Sequence, residues 1–376
     1  MAPSRGNGKS ERVGSIVRVP DDVAALGAAP DAKKPFRAAS WGQQRWHLDR
    51  PVEWPDRLSE FDDVPRVFRE HFLRGHLPAE PMLDRGDAVV TIGSCFADEL
   101  RRVLRITGFG TGGFWVPAGL NNTFAILDFV SWCLTGEATP AGYSYRRGED
   151  GTIGEWTPEA EQTFYRSSIE EAGAFVFTLG LAEVWSERDT NRVFWRGVPE
   201  QVFDEDRHAF RRSSVEENAA NIVRIVELIR SVNESAPIVL TLSPISLRAT
   251  FGGGSIMTAD CVSKSTLRVA IDQALERSPA GVYYWPSFEL VKWGGPVFDW
   301  RAVFPDSRHP LPYLTFCILD AFIEAFYGPE AAAEMRQTLK KADPIAYRRP
   351  RRRVDTARVR RIPRGLVRRV RGLLAR

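Results

Sequence analysis

A serine directly follows the first apolar run of the sequence and is the first candidate for covalent chemistry. Residues 88–92 read Ala-Val-Val-Thr-Ile and are followed by Gly93, Ser94 and Cys95. A serine at a strand-to-helix turn is presented by the bend, and N–H groups at the helix N-terminus can stabilise an oxyanion. Gly93 permits the tight backbone. A helix cap is the alternative role for Ser94, because serine is a common N-cap.

A serine hydroxyl needs a base to act as a nucleophile near neutral pH. Among the five histidines, only His309 lies at a junction that enters a core helix after the last apolar run. Asp306 precedes it by three residues, and an aspartate can orient an imidazole and stabilise its protonated form. A turn residue for Asp306 and a helix cap for His309 are the alternatives. The combination favours a catalytic triad of Ser94, His309 and Asp306.

The thiol beside Ser94 is an alternative nucleophile. Cys95 lies one residue into the expected helix, where its side chain turns to a different face, so we expect a buried structural thiol. Cys133, Cys261 and Cys317 lie inside apolar helical patterns, where a free thiol behaves as a small hydrophobe. The cysteine spacing fits neither a disulfide framework nor a zinc site, and it favours a reducing compartment.

Four continuous apolar runs predict strands of a parallel sheet that is buried on both faces. They are residues 88–92, 175–179, 238–242 and 282–285. Helical patterns alternate with them at 96–106, 122–134, 215–232, 258–276 and 310–326, and Ser214 with Glu217 has the spacing of a capping box. This alternation predicts βαβ units and a doubly wound sheet. The segment 185–203 predicts an inserted hairpin that turns at 189–191.

Several motifs, taken in order, resemble the GSCFA family. Residues 93–97 read Gly-Ser-Cys-Phe-Ala, and similar stretches follow at 117–126, 178–185, 242–244 and 263–268. The family is related to the SGNH (GDSL-like) esterases and acyltransferases. The resemblance, over about residues 87–327, implies a three-layer α/β/α sandwich with a mainly parallel central sheet. It also implies a serine in the first block and Asp-x-x-His in the last, which fall on Ser94, Asp306 and His309.

The oxyanion hole is the part of the superfamily pattern from which this sequence departs. The superfamily uses a glycine in its second block and an asparagine in its third, and Gly119 and Gly180 are the glycine candidates here. Ala182 stands where the asparagine is expected. Asn122 could supply an amide instead, beside the backbone N–H of Ser94, or it could serve as a helix N-cap.

Two charged residues are further candidates for substrate binding. Glu183 either binds substrate hydroxyls or pairs with a neighbour such as Lys264. Lys264 is in turn either part of the site or a surface cation.

The two ends of the chain differ in composition from the predicted catalytic domain, residues 36–330. Residues 1–35 predict a flexible leader, and the aromatic-rich segment 36–85 predicts an irregular wrap with a short helix near 64–73. The net charge is only +3, but arginine dominates residues 348–376 within a basic tail, 331–376. Apolar residues of the tail share one helical face between 362 and 374, as in a helix that lies on an anionic membrane.

Nucleic-acid binding and a disordered basic end are the alternatives for this tail. Aromatic residues for base stacking are missing after Tyr347, which argues against nucleic acid as a partner. The sequence has no apolar run of signal-peptide or membrane-spanning length. We therefore expect a cytoplasmic protein, peripheral at the inner membrane face if the tail binds lipid.

Two functions follow from these observations. The first is an acyl-ester hydrolase or O-acyltransferase that forms an acyl-Ser94 intermediate on an acylated carbohydrate or glycolipid, a substrate class that the resemblance implies. This mechanism needs no metal or organic cofactor. The second is a non-catalytic carbohydrate-binding or scaffold protein on an SGNH-like fold, which Ala182 favours.

Overall fold

A four-stranded parallel sheet lies at the centre of the part of the chain that the computed structural model describes. That part comprises residues 54, 58–110, 120–137, 145–147, 152–155, 161–195, 197–294 and 308–344. The strands within these ranges are β1 (Val89–Gly93), β2 (Tyr145–Arg147), β3 (Ile153–Glu155), β4 (Ala174–Leu179), β5 (Glu183–Glu187), β6 (His208–Arg212), β7 (Ile238–Leu242) and β8 (Val282–Trp285). The central sheet has the order β1-β4-β7-β8, while β2–β3 and β5–β6 form antiparallel pairs.

Helices cover both faces of this sheet. They are α1 (Val64–Val67), α2 (Cys95–Thr107), α3 (Thr123–Thr135), α4 (Gln162–Glu170), α5 (Val215–Arg230), α6 (Ile256–Arg277), α7 (Ser287–Gly294), α8 (Pro312–Tyr327) and α9 (Pro329–Ala342). A π-helical turn, Phe68–Phe72, continues α1. The helices α3 to α6 contribute to one hydrophobic core and α2 with α7 to α9 to the other. The predicted three-layer α/β/α fold is thereby confirmed.

Each central strand contributes side chains to both cores, because successive side chains of a strand point to opposite faces of the sheet. In β1, Val90 and Ile92 lie in the core with α3 to α6, whereas Val89 lies in the other core. Strands β1, β4 and β7 are buried along most of their length, which explains why each reads as a continuous apolar run.

The strand order follows the chain order. The described sheet therefore lacks the reversal of strand order that defines a doubly wound sheet. Its second face is covered by α2, which lies in the connection between β1 and β4, and by α7 to α9, which follow β8.

The predicted hairpin at 185–203 is wrong in its pairing. A turn does occur at 187–192, where Asn191 has φ +58°, and Val193 forms an isolated bridge with Ser186. The full partner of β5, however, is β6, with Glu183 opposite Arg212 and Glu187 opposite His208.

Helix α9 joins the body through its buried face. Ala332, Met335 and Leu339 are buried in the second core. Arg336 of α9 binds the carboxylate of Asp320 in α8, with the Nε–Oδ1 distance 2.6 Å. The sequence assigned residues 331–342 to the basic tail, whereas these contacts make them part of the folded body.

The termini carry several predictions that lie outside the described residues. They include the leader (1–35), most of the wrap before residue 58 and the arginine-rich segment 348–376. Within the described ranges, no helix is long and apolar enough to cross a membrane.

Candidate active site

Ser94 lies where β1 ends and α2 begins. It is the N-cap of α2, with extended backbone (φ −74°, ψ 173°), and its Oγ accepts a 3.3 Å hydrogen bond from the Phe96 N–H. Gly93 before it has φ +133°, a conformation that favours glycine. A Cβ at this position would lie 2.2 Å from the carbonyl oxygen of Thr178. The tight bend predicted from the sequence is present, and so is the capping role given as its alternative.

The backbone N–H of Ser94 is already engaged. It donates to the carbonyl oxygen of Thr178 in the adjacent strand β4, at 3.2 Å. This bond removes the oxyanion donor that the sequence suggested. In the described residues, the backbone N–H of Cys95 makes no hydrogen bond. As the first N–H of a helix it is a donor that the helix itself leaves unsatisfied.

Cys95 is exposed, and the expectation of a buried structural thiol is wrong. At the first position of α2, the Cys95 side chain faces solvent rather than the core. Cys261 is exposed as well, so it does not pack as a small hydrophobe. Cys133 and Cys317 are buried, and burial raises the pKa of both thiols, that of Cys317 to about 12.

A chain of hydrogen bonds connects the Ser94 region with the segment that carries His309. Next to the Ser94–Thr178 bond, the Leu179 carbonyl accepts from the N–H of Ser243, which follows β7, at 2.7 Å. Three residues later, the Ser246 carbonyl accepts from the guanidinium of Arg308, at 2.9 and 3.3 Å. Ser94 and the 308–309 segment therefore lie at the same carboxyl edge of the sheet.

The half-buried His309 precedes α8 by two residues. No hydrogen bond joins its imidazole to Ser94 Oγ within the described ranges. Asp306 and Gly119 lie outside these ranges. The triad thus stays a prediction, with two of its members at one edge of the sheet.

The turn between β4 and β5 is fixed by contacts to its backbone. The N–H groups of Gly180 and Leu181 donate to the Asn121 carbonyl, at 2.7 and 3.2 Å. The Ala182 N–H donates to Ser263 Oγ, at 2.9 Å. With these bonds in place, the turn is held without an asparagine side chain at position 182.

Lys264 supplies a further contact to this turn. Its Nζ donates to the Gly180 carbonyl oxygen at 2.9 Å, and its side chain is almost fully buried, so it is not a surface cation. Burial lowers the pKa of its ammonium group to about 8; Asp260 opposes this shift and Arg308 adds to it.

Glu183 and Asn122 complete the candidate residues. Glu183 is 9% exposed, its Oε2 lacks a hydrogen-bond partner, and no ion pair within the described residues joins it to Lys264. The pairing alternative is therefore wrong. Asn122 caps α3, since its Oδ1 accepts from the Ala125 N–H at 2.9 Å and its Nδ2 donates to the Trp195 carbonyl at 3.4 Å. Both ends of its amide group are thus in use.

The sequence analysis did not identify three groups that contribute to the candidate site at the carboxyl edge of the sheet. They are the side chains of Arg308 and Ser263 and the backbone N–H of Cys95. A signal was available only for Cys95, because the residue after a serine nucleophile at a strand-to-helix turn commonly donates its N–H to the oxyanion. The roles of Arg308 and Ser263 arise from contacts to residues 62 and 81 positions away. Among the described residues, no group of three His, Cys, Asp or Glu side chains could hold a metal ion.

Comparison with known families gives one match. The model of the GSCFA family matches residues 152–322, in agreement with the family resemblance found in the sequence. This range includes the β4–β5 turn, Lys264 and His309, and it leaves Ser94 and Cys95 outside. No curated protein matches the chain.

Proposed function

We propose that the chain, whose residues 152–322 match the GSCFA family, is a serine-dependent acyl-ester hydrolase or O-acyltransferase of the SGNH type. Its substrate is an acylated carbohydrate or glycolipid. The observation that carries the proposal is the position of Ser94, at a helix N-terminus on the same sheet edge as the 308–309 segment.

The proposed reaction has two halves. Ser94 Oγ attacks the ester carbonyl while His309, oriented by Asp306, takes the hydroxyl proton. The tetrahedral intermediate collapses, the substrate C–O bond breaks, and His309 returns the proton to the leaving alcohol. Water or a second hydroxyl group then attacks the acyl-Ser94 ester by the same steps, which gives hydrolysis or transfer.

The Cys95 N–H is the donor that we assign to the oxyanion. It follows the nucleophile by one residue and is not engaged elsewhere in the described structure. Loss of one such donor typically lowers the rate about 10²–10³-fold. The hydrogen bond between Ser94 Oγ and the Phe96 N–H uses the hydroxyl as an acceptor, so its proton stays available to a base.

Labelling with a fluorophosphonate probe tests the proposal. We expect the wild-type chain to be labelled, and Ser94→Ala and His309→Ala to lose the label. Ser243→Ala is the matched control, because Ser243 also follows a central strand at the same edge. An unreactive, well-folded wild type, or full labelling of Ser94→Ala, would refute the serine mechanism.

A non-catalytic scaffold or carbohydrate-binding protein is the second candidate function. The observation in its favour is that Ser94 and Asn122 both act as helix caps and that the Ser94 N–H binds Thr178. This candidate predicts the unreactive wild type described above.

We also propose that the segment Arg348–Arg376 binds an anionic membrane surface, which would give a cytoplasmic chain a peripheral location. Its basis is the amphipathic pattern of the sequence. Sedimentation with vesicles that contain phosphatidylglycerol should capture the full chain and not a chain that ends at Pro344. Equal capture of both chains would refute this role of the segment.

A further inference from the structure

Four aromatic side chains form one exposed patch on the β5–β6 hairpin and the loop after β7. Trp185 and Phe210 face each other across the hairpin, with ring centroids 5.4 Å apart. Phe251 packs on both, at 5.0 and 5.6 Å, and Phe203 packs on Trp185 at 5.5 Å. Phe251 is 66% exposed and Phe203 45%. Single exposed apolar side chains are ordinary, whereas a contiguous group marks an interaction site. These four residues are the aromatic patch.

The aromatic patch lies on the outward face of the hairpin. The opposite face packs on the body, since Val184 is buried and Arg211 forms a 2.8 Å ion pair with Glu217 of α5. Successive side chains of a strand alternate between faces. Trp185 and Phe210 therefore point away from α5, and both are partly exposed.

Two charged groups flank the aromatic patch on the same face. Glu183 and Arg212 stand opposite each other, two residues from Trp185 and Phe210 respectively. Glu183 is more than nine-tenths buried, and its Oε2 has no hydrogen-bond partner. Arg212 is exposed and makes no hydrogen bond or ion pair within the described residues. A buried polar atom without a partner calls for an explanation, of which a ligand is one.

We propose that the aromatic patch, with Glu183 and Arg212, is a binding subsite for a saccharide unit. The apolar face of a sugar ring packs on aromatic rings, while its hydroxyls can donate to a carboxylate and accept from a guanidinium. An acyl chain fits less well, because it would cover the exposed Arg212 without replacing its hydrogen bonds to water and would leave Glu183 Oε2 without a partner.

The position of this subsite connects it with the candidate active site. The β4–β5 turn, residues 180–182, leads from the Ser94–Thr178 contact directly to Glu183. The role of the subsite in holding the sugar part of an ester rests on the proposed function. Binding of the saccharide itself does not require Ser94.

A glycan array and native gels that contain dextran, xylan or mixed-linkage β-glucan test the subsite with the full chain. We expect the wild type to bind at least one glycan, and Trp185→Ala and Phe251→Ala to bind it at least tenfold more weakly. Phe251 lies in an exposed loop, so its replacement leaves the core intact. Phe164→Ala is the matched control, because Phe164 is an exposed phenylalanine of α4 outside the aromatic patch. Glu183→Gln should weaken binding while it preserves shape.

The outcomes separate this inference from the proposed function. Lost glycan binding with intact fluorophosphonate labelling in Trp185→Ala supports the subsite. Glycan binding by an unlabelled wild type supports the subsite and refutes the serine mechanism. A wild type that binds no glycan, or that loses no affinity in either aromatic variant, overturns the subsite. Binding of dodecanoate in place of glycans overturns it in favour of an acyl-chain site.

Discussion

Lys264 places an ammonium group in the interior, next to the carbonyl oxygen of Gly180. Burial lowers the pKa of the Lys264 ammonium group in the folded state to about 8, from 10.5. Between these two pH values the unfolded chain binds more protons than the folded chain, so the folded state gains stability as the pH rises. Below pH 8 both states are protonated, and the cost of burying the charge is present in full.

Urea unfolding of the wild type and of Lys264→Met should reveal this dependence. The free energy of unfolding of the wild type, relative to the variant, should rise by about 3 kcal/mol between pH 7 and pH 10.5. The comparison cancels the titration of groups that the two chains share. A difference that is constant or that falls with pH would contradict the buried, charged state of Lys264.

Cys95 offers a chemical test of access to Ser94, because its thiol is exposed one residue away. Under native conditions, iodoacetamide should modify Cys95 and Cys261 and spare Cys133 and Cys317, whose burial raises the pKa of their thiols. Peptide mass mapping identifies the modified sites.

The same modification should lower fluorophosphonate labelling of Ser94 in wild type and in Cys261→Ser. The reason is that a carboxamidomethyl group on Cys95 adds bulk one residue from the Ser94 hydroxyl. Cys95→Ser should keep its labelling after treatment. Protection of Cys95 from iodoacetamide would show that the start of α2 is covered in solution.

At the scale of elements, the junction of β1 and α2 depends on one glycine. Gly93→Ala combines the strain of φ +133° with a contact to the Thr178 carbonyl that no flexible side chain can relieve. Backbone strain of this kind costs about 1–3 kcal/mol before the steric overlap is counted. We expect a loss of about 3 kcal/mol or more in the free energy of unfolding, measured with urea. Gly86→Ala, with open space around the new Cβ and without a positive φ, should change stability little.

The elements themselves were largely predictable from the sequence. The predicted β7 and β8 match the observed strands residue for residue, because each is a short apolar run bounded by turn residues. The capping box of Ser214 and Glu217 is also observed, since it depends only on residues three positions apart. Both features depend on residues that are close together in the sequence, so the sequence alone is enough to predict them.

Pairings and contacts across the fold were not predictable in the same way. The turn at 189–191 suggested a short hairpin, but the strand that pairs with β5 returns only at residue 208. The exposure of Cys95 and the use of the Ser94 N–H by Thr178 depend on how β1 meets β4. For the candidate site, the sequence predicted the position of Ser94 at the junction of β1 and α2, but not which backbone donors remain available there.

At the scale of the whole molecule, the folded body extends beyond the end of α8. Helix α9 places Met335 in the core, and its Arg336 forms an ion pair with Asp320. Burial raises the pKa of the Asp320 carboxyl, and Arg336 opposes part of this shift. Arg102 of α2 also reaches Asp343 at the end of α9, at 3.1 Å. These contacts predict that residues up to about 344 are required for stability and that the arginine-rich segment after them is not.

Two truncations and one matched pair of substitutions test this boundary. A chain that ends at Pro344 should unfold at nearly the wild-type temperature, whereas one that ends at Tyr327 should aggregate or melt well below it. Met335→Ala should cost about 2–5 kcal/mol, the usual range for a buried large-to-alanine change. Met257→Ala should be nearly neutral, because Met257 is 82% exposed. If Met335→Ala were equally neutral, or the chain ending at Tyr327 were as stable as the wild type, α9 would be an attachment to the body and not part of its core.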